Sequence, residues 1–281
     1  MNRKLLALYG LKWSPFSPEV PTEALLVTKQ IEWFCWRVEQ LVSDGGFALV
    51  TGVPGVGKSV TLRILADRLG AQQNAQVGIL NRPQANLSDF FRELGDLFGV
   101  PLRPHNRYAG SKVLRQRWQA HIDSSLLRPV LICDEGQEMS PAVLAELRLL
   151  AAANLDSHVL LTVVLAGDQR LAERFRSEDL LPLGSRIRAR LALEPASPEG
   201  LQACLRHALA KAGAPQLMTA DVIAALGDHA HGNYRALMNM AGELLAIAAQ
   251  REIQQIDEKL FLEAFMPQAS QPNRTSGRHR R

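Results

Sequence analysis

The sequence predicts an α/β fold, a three-layer αβα sandwich with a central parallel sheet, followed by a small all-α domain. Three observations carry the prediction. Phe47 to Thr51 is a short apolar run that leads into Gly52-Val53-Pro54-Gly55-Val56-Gly57-Lys58-Ser59, which fits G-x-x-x-x-G-K-S without a gap. Pro129 to Cys133 is continuously apolar, as a strand covered on both faces must be, and it ends in Asp134-Glu135. Beyond Pro195-Ala196-Ser197-Pro198 the pattern is helical throughout.

The glycine-rich stretch reads as a phosphate cradle. Gly52, Gly55 and Gly57 allow a tight turn with its N–H groups pointing inward, and a helix starting near Lys58 adds its positive end. Lys58 is placed to neutralise β and γ phosphates, and the Ser59 hydroxyl to hold Mg²⁺. Val60, just past the pattern, completes the expected ATP-binding set.

The chain has 281 residues, 47% of them hydrophobic and 21% charged, which is the balance of a soluble globular protein. Its formal charge of +4 is concentrated in a tail that carries Arg274, Arg278, Arg280 and Arg281 and no acid, so the body is near neutral. Attraction to nucleic acid must then come from local patches and the tail. Cys35, Cys133 and Cys204 lie far apart and form neither a metal pattern nor an even disulfide framework, which points to a reducing, cytoplasmic setting. No run of about 18 apolar residues occurs, which argues against a transmembrane helix. The N-terminal apolar stretch is too short for a signal peptide.

In chain order, residues 1–21 are expected to be an extended lead-in, because Pro15, Pro18 and Pro21 forbid a helix there. Residues 29–43 place Ile31, Phe34, Cys35, Val38, Leu41 and Val42 on one buried helical face. Trp33 and Trp36 fall off that face and are expected to pack within the molecule or against a neighbouring subunit. After the loop come a helix to Leu69 and a strand from Gln76 to Leu80. The next helix is expected to be capped by Ser88 and to bury Phe90, Phe91, Leu94 and Leu97. Arg103, Arg107, Lys112 and Arg115 cluster after the second strand, as a solvated face or, if the chain binds DNA, as phosphate contacts. The helix that follows turns Val113, Leu114, Trp118, Ile122 and Leu126 inward.

Asp134 and Glu135 sit where an α/β sheet presents its ligand edge. Asp134 suits a Mg²⁺ shell, and Glu135 can polarise an attacking water. Ser140-Pro141 opens a helix, and a strand is expected from Val159 to Leu165. That strand leads to Asp168 and Gln169, either of which could contact a γ-phosphate or cap the next helix. Arg186, Arg188 and Arg190 alternate, as they would on one strand face. Helices capped by Ser197, Thr219 and Asp257 follow, together with one led by His231-Gly232-Asn233-Tyr234-Arg235, where Arg235 could fold back onto a nucleotide.

In this order of parts the chain resembles the AAA+ ATPases over roughly residues 9 to 265. The resemblance implies an AAA+ α/β nucleotide-binding domain at 22–195, a helical lid at 196–267 and a basic disordered tail at 268–281. It makes Gly52 to Ser59 Walker A, Asp134-Glu135 Walker B, Asp168 or Gln169 sensor 1, Arg186 the arginine finger with Arg188 and Arg190 as competitors, and Arg235 sensor 2. Tyr9-Gly10-Leu11 with Pro15-Phe16 is similar to the opening of the ExeA-like group, which includes secretion ATPases and TniB/TnsC-type ATPases that assist transposases. Because the chain stops after the lid, without a membrane span, the transposition branch is expected.

The implied mechanism is a switch. ATP and Mg²⁺ join subunits into a ring or filament on duplex DNA through sequence-independent phosphate contacts, a transposase reads that form, and hydrolysis dissolves it. The alternative is an ExeA-like ATPase acting on protein partners in secretion or remodelling.

Overall fold

The computed structural model describes residues 2–102, 107–153 and 158–265, the side chains of 2–4 and 107–109 excepted. Arg103, the Arg107 side chain and the tail arginines therefore lie outside the described residues. The first helix, α1, spans Asn2–Tyr9, and α2 spans Lys29–Asp44. Strand β1 (Gly46–Gly52), helix α3 (Lys58–Gly70), strand β2 (Ala75–Leu80) and helix α4 (Leu87–Phe98) follow. Next come α5 (Arg107–Ser125), β3 (Arg128–Cys133), α6 (Pro141–Ala151) and the short strands β4 (Ala152–Ala153) and β5 (His158–Val159). Strand β6 (Thr162–Gly167), α7 (Gln169–Arg174), α8 (Leu181–Gly184) and β7 (Ile187–Leu193) complete the α/β part. Helices α9 (Pro198–Ala212), α10 (Ala220–His229), α11 (Tyr234–Gln250) and α12 (Glu258–Phe265) build a second, all-helical core, called the lid for brevity.

Among the described residues the main sheet is five-stranded, in the order β2-β3-β6-β1-β7, and every pairing is parallel. Alternation along each central strand explains its unbroken apolar composition. Phe47 and Leu49, Leu131 and Cys133, and Val163 and Leu165 face α4, α5 and α6. Ala48 and Val50, Val130 and Ile132, and Val164 and Ala166 face α2 and α3. Both faces are covered, so neither set of side chains can be polar. The predicted three layers are therefore present, with all six expected residues of α2 buried. Among the described residues no helix is long and apolar enough to cross a membrane.

Several expectations need correction. The N-terminal segment is not extended from its start: α1 precedes the prolines, which restrict only the chain around them. Leu11 and Phe16 are buried in the lid core, and Leu5, Leu6 and Tyr9 pack against it. The Tyr9 hydroxyl donates to the Ile253 carbonyl at 2.8 Å, and the Lys12 N–H to the Ala212 carbonyl at 2.9 Å. Helix α4 is capped by Asn86, whose side chain accepts from the N–H groups of Ser88 and Asp89, so Ser88 is already helical. Val159 belongs to the β4–β5 hairpin, and the sheet strand begins at Thr162. Trp33 and Trp36 are 59% and 46% exposed, stacked on each other with centroids 4.8 Å apart. Val113 and Leu126 are likewise exposed, whereas Leu114, Trp118 and Ile122 are buried. Arg186 precedes β7 rather than sharing its exposed face with Arg188 and Arg190.

Trp118 is fully buried and meets Phe98 edge-on at 5.3 Å, yet its Nε1 has no hydrogen-bond partner among the described residues. Trp118→Ala should cost about 3–5 kcal/mol in denaturant unfolding. Trp118→Phe should cost less than half of that, because it also removes an unpaired buried donor worth about 1–3 kcal/mol. Equal costs for the two variants would mean that the indole N–H is satisfied.

Candidate functional site

The strand order positions the site. Strand β1 lies between β6 and β7, and β6 lies between β1 and β3. All strands run the same way, so the turn after β1, the acids after β3 and the residue after β6 meet along one edge. Above that edge a cleft of about 1030 Å³ opens between the α/β layers and the lid.

The turn after β1 delivers its main chain bare. Gly55 has φ +86, and a β-carbon there would lie 2.1 Å from Asn233 Oδ1. Gly57 caps α3 from the left-handed region at φ +105, which favours glycine. Lys58 is only 7% exposed, and its Nζ donates to the carbonyls of Gly52 (2.9 Å) and Val53 (3.2 Å). No carboxylate among the described residues is ion-paired with it. The ammonium is thus hydrogen-bonded but not neutralised, which favours an incoming anion. Ser59 is exposed on the first turn of α3, and both it and Val60 line the cleft.

Glu135 follows β3 with φ +51, a backbone region that L side chains rarely adopt, and its side chain lines the cleft. Asp134 is half-buried behind it, and its Oδ1 accepts from the Glu135 N–H at 2.8 Å. Glu135 Oε2 accepts from Gln137 Nε2. Gln137 Oε1 in turn accepts from the Asp168 N–H at 3.1 Å, which ties the end of β3 to the end of β6.

Asp168 takes the capping role of its two alternatives, and it also lines the cleft beside Lys58. It caps α7 by accepting from the Arg170 N–H at 2.9 Å. Arg170 also donates to its carboxylate, with Nη2–Oδ2 at 2.7 Å, and to Glu138 at 3.2 Å. The hydrogen bond from Arg170 holds the Asp168 carboxyl below its usual range. Gln169 is an exposed first residue of α7 outside the cleft lining.

The lid closes the cleft through α11. Asn233 caps that helix by accepting from the Ala236 N–H at 3.1 Å, and its Nδ2 donates to the Pro54 carbonyl at 3.1 Å. The Arg235 N–H donates to the Gly55 carbonyl at 3.3 Å, and the exposed Arg235 side chain lines the cleft. At the far end Phe16, Cys204, His207, Tyr234 and Met238 form a mixed apolar wall. Burial pushes the Cys204 thiol up to about 11, which keeps it protonated and unreactive.

Arg186 stands apart from this cleft. It is half-buried ahead of β7, where its Nη1 donates to the Pro182 carbonyl, whereas the cleft lies at the Leu193 end of that strand. Arg188 approaches Asp44 at 3.9 Å, and Arg190 donates to the Gly184 carbonyl at 3.0 Å. Lys112 and Arg115 share a second groove of about 650 Å³ between α5 and α6, with Arg115 committed to the Ala152 carbonyl at 2.6 Å.

Residues 40–175 match the AAA domain family. Over 246 residues the chain is 30% identical to the general secretion pathway protein A of Aeromonas hydrophila, across 86% of this chain and 44% of that protein. It therefore spans less than half of that relative's length. Cdc6p of Pyrobaculum aerophilum superposes with a TM-score of 0.70 at 18% identity, covering 86% of this chain and 67% of that one. The ORC1 protein of Aeropyrum pernix, solved in complex with DNA, superposes with a TM-score of 0.67 at 16% identity, covering 94% and 69%. These two likenesses show a shared fold and nothing further.

Sequence reasoning overlooked Gln137, Arg170 and the loop contact of Asn233. Gln137 stands two places beyond the acid pair, but only the neighbouring strand reveals what it bonds. The charge of Asp168 gives a check on this geometry. Its carboxyl titrates lower in the folded protein, so its contribution is present above the ordinary value of 3.8 and disappears as pH falls through the folded value. Asp168→Ala should cost about 1 kcal/mol at neutral pH, mostly through the lost cap. In melting experiments the deficit should shrink in acid below pH 3.8. A deficit unchanged in acid would mean that the carboxylate charge contributes nothing.

Proposed function

We propose that the chain is a Mg²⁺-dependent AAA+ ATPase that works as a nucleotide-operated switch. The observation that carries this reading is the convergence on one cleft of the glycine loop, Lys58, Ser59, Glu135, Asp168 and Arg235. The loop N–H groups and Lys58 bind the phosphates, and the apolar wall with Phe16 and Tyr234 receives the base. Ser59 and Asp134 offer the hard oxygens that suit Mg²⁺, the remaining positions falling to phosphate and water. The ion, when bound, neutralises charge on the phosphate oxygens. Glu135 orients and polarises the attacking water, and Asp168 holds the γ-phosphate side of the cleft. Arg235 carries phosphate occupancy to α11, and with it to the lid. Arg186 serves the cleft of an adjacent subunit, which makes the assembled state depend on ATP.

On the nature of the assembly we favour a cytoplasmic ring or filament on duplex DNA that recruits or activates a transposase. Fold neighbours solved with DNA and the exposed Lys112 support it. The second reading, an ExeA-like ATPase acting on protein partners, is favoured by the Aeromonas secretion relative.

Purified protein should hydrolyse ATP with Mg²⁺. Lys58→Ala should abolish nucleotide binding, and Glu135→Gln should bind ATP without turning it over. Arg186→Ala should lose roughly 10³ to 10⁵ in rate; full turnover in that variant would pass the finger to Arg188 or Arg190. The two readings of the partner separate on random-sequence duplex DNA with a slowly hydrolysed ATP analogue. Filaments or rings seen by electron microscopy support the first, and absence of DNA binding leaves the second. If Lys112 grips a phosphate, Lys112→Ala should flatten the logarithmic salt dependence of DNA binding by about one unit. An unchanged slope removes Lys112 from the DNA surface.

A further inference from the structure

Gln137 sits in the single turn of 3₁₀ helix that follows the acids, Gly136–Glu138, and it lines the cleft. Both polar atoms of its side-chain amide are engaged. Nε2 donates to Glu135 Oε2, and Oε1 accepts from the Asp168 N–H at 3.1 Å. Its own carbonyl accepts from Arg174 Nη1 at 2.8 Å, so the turn is anchored to α7 as well. The space around the amide is also prepared, since a β-carbon at Gly167 would lie 2.5 Å from Gln137 Oε1. A side chain of this length, with a donor at one end and an acceptor at the other, is needed to join a carboxylate to a main-chain N–H across two strand ends. Gln is the amide that reaches.

We propose that Gln137 is a positioning residue for Glu135, fixing the carboxylate against the end of β6 so that the water it polarises is held in line with the phosphate. This rests on the reading of Glu135 as the hydrolytic base. Glu135 is exposed and sits on a sharp left-handed turn, so its side chain has no wall of its own to hold it. The Gln137 amide supplies that restraint, and it references the carboxylate to Asp168, the group beside the γ-phosphate. A displacement of about 1 Å in such a group costs on the order of 10² in rate.

Two variants test this, with ATP turnover and binding of a fluorescent ATP analogue measured separately. Gln137→Met keeps the length of the side chain and loses both polar ends. Gln137→Glu keeps the acceptor for the Asp168 N–H but places a carboxylate against Glu135. Both should lower kcat by about 10- to 100-fold, while KM and the analogue's Kd stay within about threefold of wild type. Wild-type kcat in Gln137→Met overturns the proposal. So does a parallel loss of binding, turnover and melting temperature in both, because Gln137 would then be a structural residue only. Glu135→Gln separates the two levels of argument. If that variant turns over ATP normally, the reading of Glu135 as base fails. If it is inactive while Gln137→Met is fully active, only the positioning role is lost.

Discussion

The close approach of the lid to the phosphate loop is the constraint on which the rest of the site depends. At Gly55 the main chain has to present its carbonyl to α11 and leave its amide face open, and Asn233 occupies the space that any side chain would need. A larger residue there would strain a backbone at φ +86 and displace the Asn233 side chain from its bonds to Pro54 and Ala236. The loop is consequently a junction of two cores, one built on the sheet and one on α9 to α12, bridged there by main-chain and amide hydrogen bonds. Contacts of that kind, between Asn233 and Pro54 and between Arg235 and Gly55, are weak enough to be exchanged when a ligand enters the cleft.

The second constraint is the strand order. With β6 inserted between β1 and β3, Asp168 stands between the loop and the acids, and the ends of β3 and β6 share one hydrogen-bonded line through Gln137. Arg170 extends that line by joining Asp168 to Glu138. These pairs are solvent-exposed and add little stability individually. Their effect is geometric, since they keep the turn after β3 and the start of α7 from moving separately.

Features encoded by adjacent residues were legible in the sequence. The glycine loop, the acid pair, the buried face of α2 and the Ser197, Thr219 and Asp257 caps all depend on spacing along one segment. Features that depend on a partner distant in sequence were not. Ser88 and Asn86 are both good caps, and the path of the chain out of β2 decides for Asn86. Trp33 and Trp36 look like core residues by composition but stack on each other outside it, because Phe34 and Val38 already fill the seam against the sheet. The helical start of the chain was hidden for a related reason. Its apolar residues find their partners in the lid, which lies about two hundred residues later.

The position of Arg186 bears on assembly by simple distance. Strand β7 has seven residues, so its two ends are roughly 20 Å apart at about 3.3 Å per residue. Arg186 is ahead of the first of them, while the cleft begins beside the last, and an arginine side chain spans only a fraction of that length. It therefore cannot touch a nucleotide in its own cleft. A finger at this position needs a second copy whose cleft faces the start of β7. That edge is suited to contact, because β7 is the outermost strand and α2, with its exposed tryptophans, packs beside it. On the proposed reading the cleft binds a nucleotide within one chain while the group that accelerates hydrolysis arrives only with a neighbour, so turnover should report on assembly.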